Sequence, residues 1–447
     1  MSHHRPLARV IPAVLLLALV LACGGDSDTP QRSDDCARFA PYQGHEGTGV
    51  TIVSPIRDVE GDKLTRTWEP FEACTGINIS YSGTDTFEVD LPTRVRAGHP
   101  PDLAFFPQPG LIEQLAREGA LVPVPPSAKE NAERWWSPDW LRYSTVDGTL
   151  YAVPADANVK SLVWYSPRVF REKGYAVPRT WSEMLALSDR IAADGVKPWC
   201  AGVGSGVATG WPATDWLEDV LLRSEGPAFF DAWVEHRVAF DDPRVLAALE
   251  QVGAILKNPA YVNGGYGGVE SIAAIAFQEG GLPILEGACA MHRQASFYSN
   301  SWPADAEIGE DGDIYAFYLP TMGSETDSPG EGKPVLGAGT FLGAFTDRPE
   351  VTAVSTYLST PEFANDRARI GQAISANKGM DPTNLSQPVA RLSAELLAEP
   401  GIVFRFDGSD LMPTQVGSGS FWRGMTDWIR GRSSPEVLAE IERSWPP

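Results

Sequence analysis

At 447 residues the chain is long enough for two domains of ordinary size, and a composition 43% hydrophobic and 10% aromatic supplies real cores, which excludes global disorder. A formal charge of −22, with no run of Lys or Arg anywhere, argues against nucleic acid and anionic lipid as partners, because both need basic surface. The 14 tryptophans are scattered rather than clustered, which points to a ligand cleft in addition to cores.

In chain order, Arg5 and Arg9 precede an apolar run from Val10 to Ala22. The run is too short to span a bilayer comfortably and follows a positive stretch, so residues 1–22 read as a signal peptide. Cys23 then follows the small Ala22 and leads into Gly24, Gly25 and a polar tether. This arrangement resembles bacterial lipoprotein leaders, which implies lipidation of Cys23, a tether over 23–45 and a chain anchored on the outer face of the cytoplasmic membrane. An ordinary secretory leader cleaved nearby is the other reading. In an exported chain the remaining cysteines, Cys36, Cys74, Cys200 and Cys289, form an even set, and three pairings exist on paper. Cys36–Cys74 and Cys200–Cys289 are expected, since each pair falls within one expected domain and closes a long loop. No CxxC occurs and the six histidines show no paired helical spacing, so neither a metal site nor a cofactor is expected.

The first domain alternates strand and helix. Residues 49–54 read as a buried strand, 64–74 as a helix ending at Gly76, 77–81 as a strand, and Phe87, Leu91 and Val95 as one face of a helix. Residues 101–106 follow as a third strand and lead through a Pro-Gly turn into a helix up to Gly119. Such alternation implies an open α/β sheet, whose ligands bind at the C-terminal ends of strands. Thr84, Asp85, Phe106 and Gln108 are candidates by that rule, with core burial as the competing reading of Phe106. After a hairpin at Asp147-Gly148, the residues Asp156, Asn158 and Lys160 alternate on one face of an extended segment. A hinge or ligand role fits a polar stripe of this kind, and for Lys160 the solvent face of an edge strand fits equally.

Thr180 and Glu183 have capping-box spacing, opening a helix that closes near Gly195. Residues 198–204 read as a strand running into a glycine-rich loop that matches neither GxGxxG nor a P-loop. Asp242-Pro243 starts a helix through Leu256. The segment from Phe277 to Met291 reads as a helix and a strand whose end presents His292, Arg293 and Gln294. Of these, Arg293 and Gln294 are natural donors to vicinal hydroxyls. Residues 313–320 read as the return strand to the first domain, Thr360 as the cap of a helix in the second domain, and 434–441 as a terminal helix.

The segment 404–424, FRFDGSDLMPTQVGSGSFWRG, brings together Asp407 and Asp410, exposed glycine backbone, and the flat faces of Phe421 and Trp422. Carboxylates beside aromatic planes suit a sugar ring, which has a belt of hydroxyls and an apolar C–H face. A turn with a satisfied Asp cap and two core aromatics is the competing reading. The segment resembles the C-terminal signature of the extracellular solute-binding proteins (family 1) of carbohydrate ABC importers, in particular the alpha-glucoside-binding branch, and the resemblance runs over nearly the whole mature chain. It implies a two-domain periplasmic-binding-protein-like fold of type II, with each domain an α/β sheet flanked by helices and a ligand cleft between them. The expected N-terminal lobe is 46–155 with 313–358, and the expected C-terminal lobe is 156–312 with 359–447. It further implies a stacking Trp211 and a hydrogen-bonding Asp215, with Trp216 the weaker alternative, and a ligand wall at Gly337, Gly339 and Phe341. Ser375 stands where the family usually has proline. The implied partners are a di- or oligosaccharide and an ABC permease, and a monomer that is not an enzyme is expected. A secreted glycosidase using Asp407 and Asp410 as its two carboxylates is the alternative; an i,i+3 pair in a turn need not flank one bond.

Overall fold

The computed structural model describes residues 36–323 and 332–446. The leader, Cys23 and the tether as far as Asp35 lie outside the described residues, as does most of the Gly/Ser/Asp-rich loop after Pro320.

Runs of β-branched and aromatic residues form the strands, and inner strands of the two larger sheets are buried on both faces. In the first lobe the strands Asn78–Gly83, Gly49–Ser54, Leu103–Phe106, Phe341–Ala344 and Ala152–Pro154 lie side by side in that order. The first three are parallel, and the last two join antiparallel. The second sheet has the order Val262–Asn263, Lys197–Cys200, Cys289–Arg293, Leu162–Tyr165 and Tyr315–Tyr318. A small third sheet, Ile402–Phe406 with Lys333–Ala338 and Asn158–Val159, joins segments that run between the lobes. Cys36–Cys74 and Cys200–Cys289 are both bonded, each within one lobe. Among the described residues no helix is long and apolar enough to cross a membrane.

Several expectations are corrected. Tyr315–Tyr318 is not a return strand to the first lobe: it pairs antiparallel with Leu162–Tyr165 at the edge of the second sheet. Both faces of this strand are apolar, and Ala316 and Phe317 find cores on either side of that sheet. The chain re-enters the first sheet only at Phe341–Ala344, so the expected boundary at 313 falls too early. The helix Pro361–Asp366 does start on Thr360, whose Oγ1 accepts from the Phe363 amide at 3.2 Å. It belongs to the first lobe, however, because Phe363 packs on Tyr357 at 5.7 Å in that lobe's core. The tether also ends earlier than 45. Ala37–Tyr42 is a short 3₁₀ turn, and its Phe39 is 1% exposed against Phe71 and Tyr357. The single helix expected over 64–74 is two, Asp58–Arg66 and Glu69–Thr75, with Pro70 starting the second. Between Phe277 and the strand Cys289–Arg293 there is only a 3₁₀ turn, Leu282–Ile284.

Candidate functional site

Three connections between the lobes meet at Asp156. Its Oδ1 accepts from the Thr340 amide at 2.9 Å and its Oδ2 from Arg367 Nη2 at 2.7 Å. The Ala155 amide donates to the Thr340 carbonyl at 2.8 Å, closing the clamp. Gly339 is required where these segments touch, since a Cβ there would lie 2.3 Å from the Asp156 carbonyl oxygen. Between the lobes lies a cavity of about 420 Å³, within the roughly 300–1,000 Å³ usual for small-molecule sites.

The second-lobe wall is aromatic. Helix Trp211–Glu225 begins at Gly210, whose φ of 116° and approach to the Trp422 carbonyl leave no room for a side chain. Trp211 stands half-buried at the helix start, edge-to-face with Phe277 at 4.9 Å and tilted against Phe297 at 6.0 Å. The Lys160 ammonium sits 5.2 Å from the Trp211 ring centre. Behind these rings the same helix buries Asp215, Glu218 and Asp219, spaced three and four residues apart, in a network of charges. Lys160 Nζ binds Asp215 at 2.9 Å and also Asp407. Arg293 reaches Asp215 at 3.3 Å and Asp219 at 2.6 Å, and Arg223 pairs with Asp219 as well. Glu218 receives the amides of Gly408 and Ser409 at 2.6 and 3.0 Å. Burial pushes Asp215 up to about 7 despite its cations. Burial pushes Asp407 the same way, but Lys160 and the Ser409 hydroxyl hold it down at about 2. Asp407 therefore carries the charge that neutralises Lys160.

The first-lobe wall is polar. Glu60 and Lys63 come from helix Asp58–Arg66, Asp85 and Glu88 from the start of helix Phe87–Arg96, and Gln108 from the end of its strand. Gln108 Nε2 donates to Glu88 Oε1 at 3.2 Å, and burial raises Glu88 above the usual carboxylate range. Burial also pushes Glu60 up to about 7, with Asp156 adding to the shift while Arg367 and Lys63 oppose it. Across the cavity, Lys63 Nζ donates to Asn300 Oδ1 of the second lobe at 2.7 Å. Among the described residues, four of the buried polar atoms without partners, Gln108 Oε1, Asn158 Oδ1, Thr340 Oγ1 and Arg367 Nη1, belong to residues lining the cavity. Buried polar groups are normally bonded, so this concentration marks places that a ligand can fill.

Of the residues singled out from the sequence, Asp85, Gln108, Asp156, Asn158, Trp211, Gly339, Asp410 and Trp422 line the cavity, and so does Lys160. Lys160 is 5% exposed, which removes its reading as a solvent-facing edge residue. Asp215, Arg293 and Asp407 lie behind the wall in the ion network. Thr84 bonds Thr86 at 2.7 Å beside the wall. Gln294 is buried, its Oε1 accepting from the Ala295 amide at 2.8 Å. Phe341 is fully buried against Phe406 and Trp140, so it is placed for core packing and not for stacking on a ligand. Phe106 is likewise core, between Phe87 and Phe345, and Trp216 packs on Trp199. His292 faces the Cys200 carbonyl at 3.0 Å, and burial lowers it to about 4. Phe277, Phe297, Glu60, Lys63 and Arg367 were not singled out. The strand-end rule, applied also to the first strand, would have flagged Glu60 and Lys63; no local signal marks the other three. Asp407 and Asp410 do not face one substrate bond: only Asp410 reaches the cavity. Among the described residues no group of three or more His, Cys, Asp or Glu could hold a metal ion.

A family model for bacterial extracellular solute-binding proteins matches residues 58–348. An osmoprotective compounds-binding protein of Synechocystis sp. is 41% identical over 400 residues, covering 89% of this chain and 92% of that protein. An alpha-glucosides-binding periplasmic protein of Rhizobium meliloti is 38% identical over 415 residues, covering 90% and 88%. Among solved structures, a chitin oligosaccharide binding protein matches with a TM-score of 0.74 at 20% identity over 89% of this chain and 97% of that one. A maltose-bound protein of T. maritima matches at 0.68 with 18% identity over 89% and 98%. These two likenesses bear on the fold alone.

Proposed function

The chain belongs to the bacterial extracellular solute-binding protein family, and on that premise we propose that it captures an alpha-glucoside or similar small glycoside in the interlobe cavity and delivers it to an ABC permease. The observation that carries this reading is the pairing of opposite walls in one cavity. Trp211, Phe277 and Phe297 offer flat apolar faces, and the partnerless atoms of Gln108, Asn158, Thr340 and Arg367 stand ready for hydroxyls. A sugar presents those two kinds of surface. Likeness to the alpha-glucosides-binding and osmoprotective compounds-binding relatives supports the ligand class.

Capture works by closure of the lobes about the clamp at Asp156, with Lys63 and Asn300 meeting across the cleft. Trp211, and Trp422 behind it, bind the ring face, and Asp85, Gln108, Asn158 and Asp410 bind hydroxyls. Asp215, Arg293 and Asp407 act through Lys160, fixing its ammonium at the cavity wall. Gln294, Thr84 and Phe341 support the wall without touching the ligand. A lipid on Cys23 holds the protein at the membrane beside its permease.

A thermal-shift screen of residues 24–447 against mono- and disaccharides tests this. A ligand that binds only the folded state stabilises it by ~2.7 kcal/mol at a hundredfold excess over Kd. A clear shift with one or two alpha-linked disaccharides, without hydrolysis and absent in Trp211→Ala, is expected. A flat response across all sugars would remove the alpha-glucoside assignment.

A further inference from the structure

The charges lining the cavity do not balance. Arg57 pairs with Asp58 at 2.9 Å, Arg367 with Asp156 at 2.7 Å, and Lys160 is taken up by Asp215 and Asp407 behind the wall. Among the described residues, the remaining charged side chains around the cavity are Glu60, Asp85, Glu88 and Asp410 and one cation outside any ion pair, Lys63. Lys63 already donates to Asn300 at the cleft mouth. Asp410 is only 6% exposed, and among the described residues nothing hydrogen-bonds its carboxyl oxygens. Its amide instead donates to Asp407, which fixes the residue in place.

Burial and neighbouring negative charge destabilise the ionised form of a carboxyl group. Asp410 is raised well above the ordinary range by burial and by the neighbouring Asp407 charge, while Glu60 and Glu88 are raised chiefly by burial. Protons partly relieve the excess in the empty cavity, and a ligand cation would relieve it better. An ammonium brings three donors and a full charge, and charge-assisted bonds are roughly twice as strong as neutral ones. A carboxylate or phosphate entering the cavity would leave water only to lie among like charges.

We propose that the cavity sorts glycosides by charge, taking those that carry a basic nitrogen in preference to neutral ones and rejecting those that carry a carboxylate or phosphate. This rests on the reading of the cavity as a sugar site. Asp410 and Glu88 are the acceptors for the ammonium, and the carboxylates around the cavity outnumber Lys63, the one cation there that could serve an anion.

The test is isothermal titration at pH 7 with trehalose, its 2-amino-2-deoxy derivative and its 6-phosphate, repeated with glucose, glucosamine and glucuronate. The amine should bind about tenfold tighter than its neutral parent, and the anion at least a hundredfold more weakly. In Glu88→Gln and Asp410→Asn the amine's advantage should drop below threefold, whatever happens to the neutral sugar. An amine no tighter than its parent, or an anion within tenfold of it, overturns the inference. If neutral sugars bind and charge makes no difference, this inference alone fails; if no member of either set binds, the sugar reading fails with it.

Discussion

On the second-lobe side of the cleft, Trp211, Phe277 and Phe297 stand in front of a buried network in which Lys160, Arg223 and Arg293 each reach an aspartate and Glu218 caps two amides. On the first-lobe side, Glu60, Asp85 and Glu88 stand on helix starts, reachable from the cavity and short of counter-charges. The first arrangement is fixed before the ligand arrives, because every charge in it has a partner and moving one would strand another. The second arrangement holds carboxyl groups whose protonation and bonding a ligand can change. One wall is a preformed surface and the other a responsive one. Their difference says where affinity and where gating reside.

The sharpest way to break the comparison is at Lys160. Lys160→Met leaves Asp407 buried without its cation, and Asp215 with Arg293 alone, which should cost ~3–5 kcal/mol of stability, read by urea unfolding followed through tryptophan fluorescence. A loss below ~1 kcal/mol would mean that the network is open to water and the wall is not preformed. Next comes the aromatic face. Trp211→Ala should weaken sugar binding by roughly 10–100-fold, or ~1.4–2.8 kcal/mol, in titration calorimetry. Its melting temperature should change little, since Trp211 is half-buried at a helix start; a large fall in melting temperature would reassign it to the core.

The responsive wall predicts a pH effect of definite sign. Glu60 is held at about 7 by burial, against the cations Arg367 and Lys63 and with the help of Asp156. In an open cleft its carboxyl meets water and returns toward the ordinary ~4.3. Closure therefore takes up a proton, so closure is favoured at low pH and affinity falls as pH rises from that ordinary value through about 7. Because Glu60 is partly exposed, a discounted change of about tenfold between pH 5.5 and 8 is expected. Glu60→Gln should flatten the profile; an unchanged profile in that variant would place the proton elsewhere. The smallest effect is at the cleft mouth. Lys63→Ala and Asn300→Ala should each speed ligand release by roughly threefold to tenfold, and the double variant no further, since they share one hydrogen bond worth ~1 kcal/mol. Additive effects in stopped-flow release would show that the two side chains act separately.

Much of this was readable along the chain. The alternation of strand and helix, the caps at Thr180, Asp242 and Thr360, and the stripe Asp156, Asn158, Lys160 are local patterns, and a local pattern survives folding because it is set by 3.6- and two-residue periods. Asp410 and Trp422 could be picked out because aromatic and carboxylate side chains beside glycine-rich backbone are conspicuous in any order, whereas Trp211 was marked only by the family resemblance. The same residue chemistry could not tell Asp410 from Asp407, three positions away. One lines the cavity and the other is sealed against Lys160, and that choice was made by a strand more than two hundred residues earlier arriving alongside. Nor could it show that Arg293 would be spent on Asp215 and Asp219, that Arg367 would clamp Asp156, or that Tyr315–Tyr318 would stay in the second sheet. Sequence spacing determined which elements form and which faces are apolar. Tertiary approach decided which buried charge meets which, because a charge taken out of water is governed by whatever partner lies within a few ångströms in space.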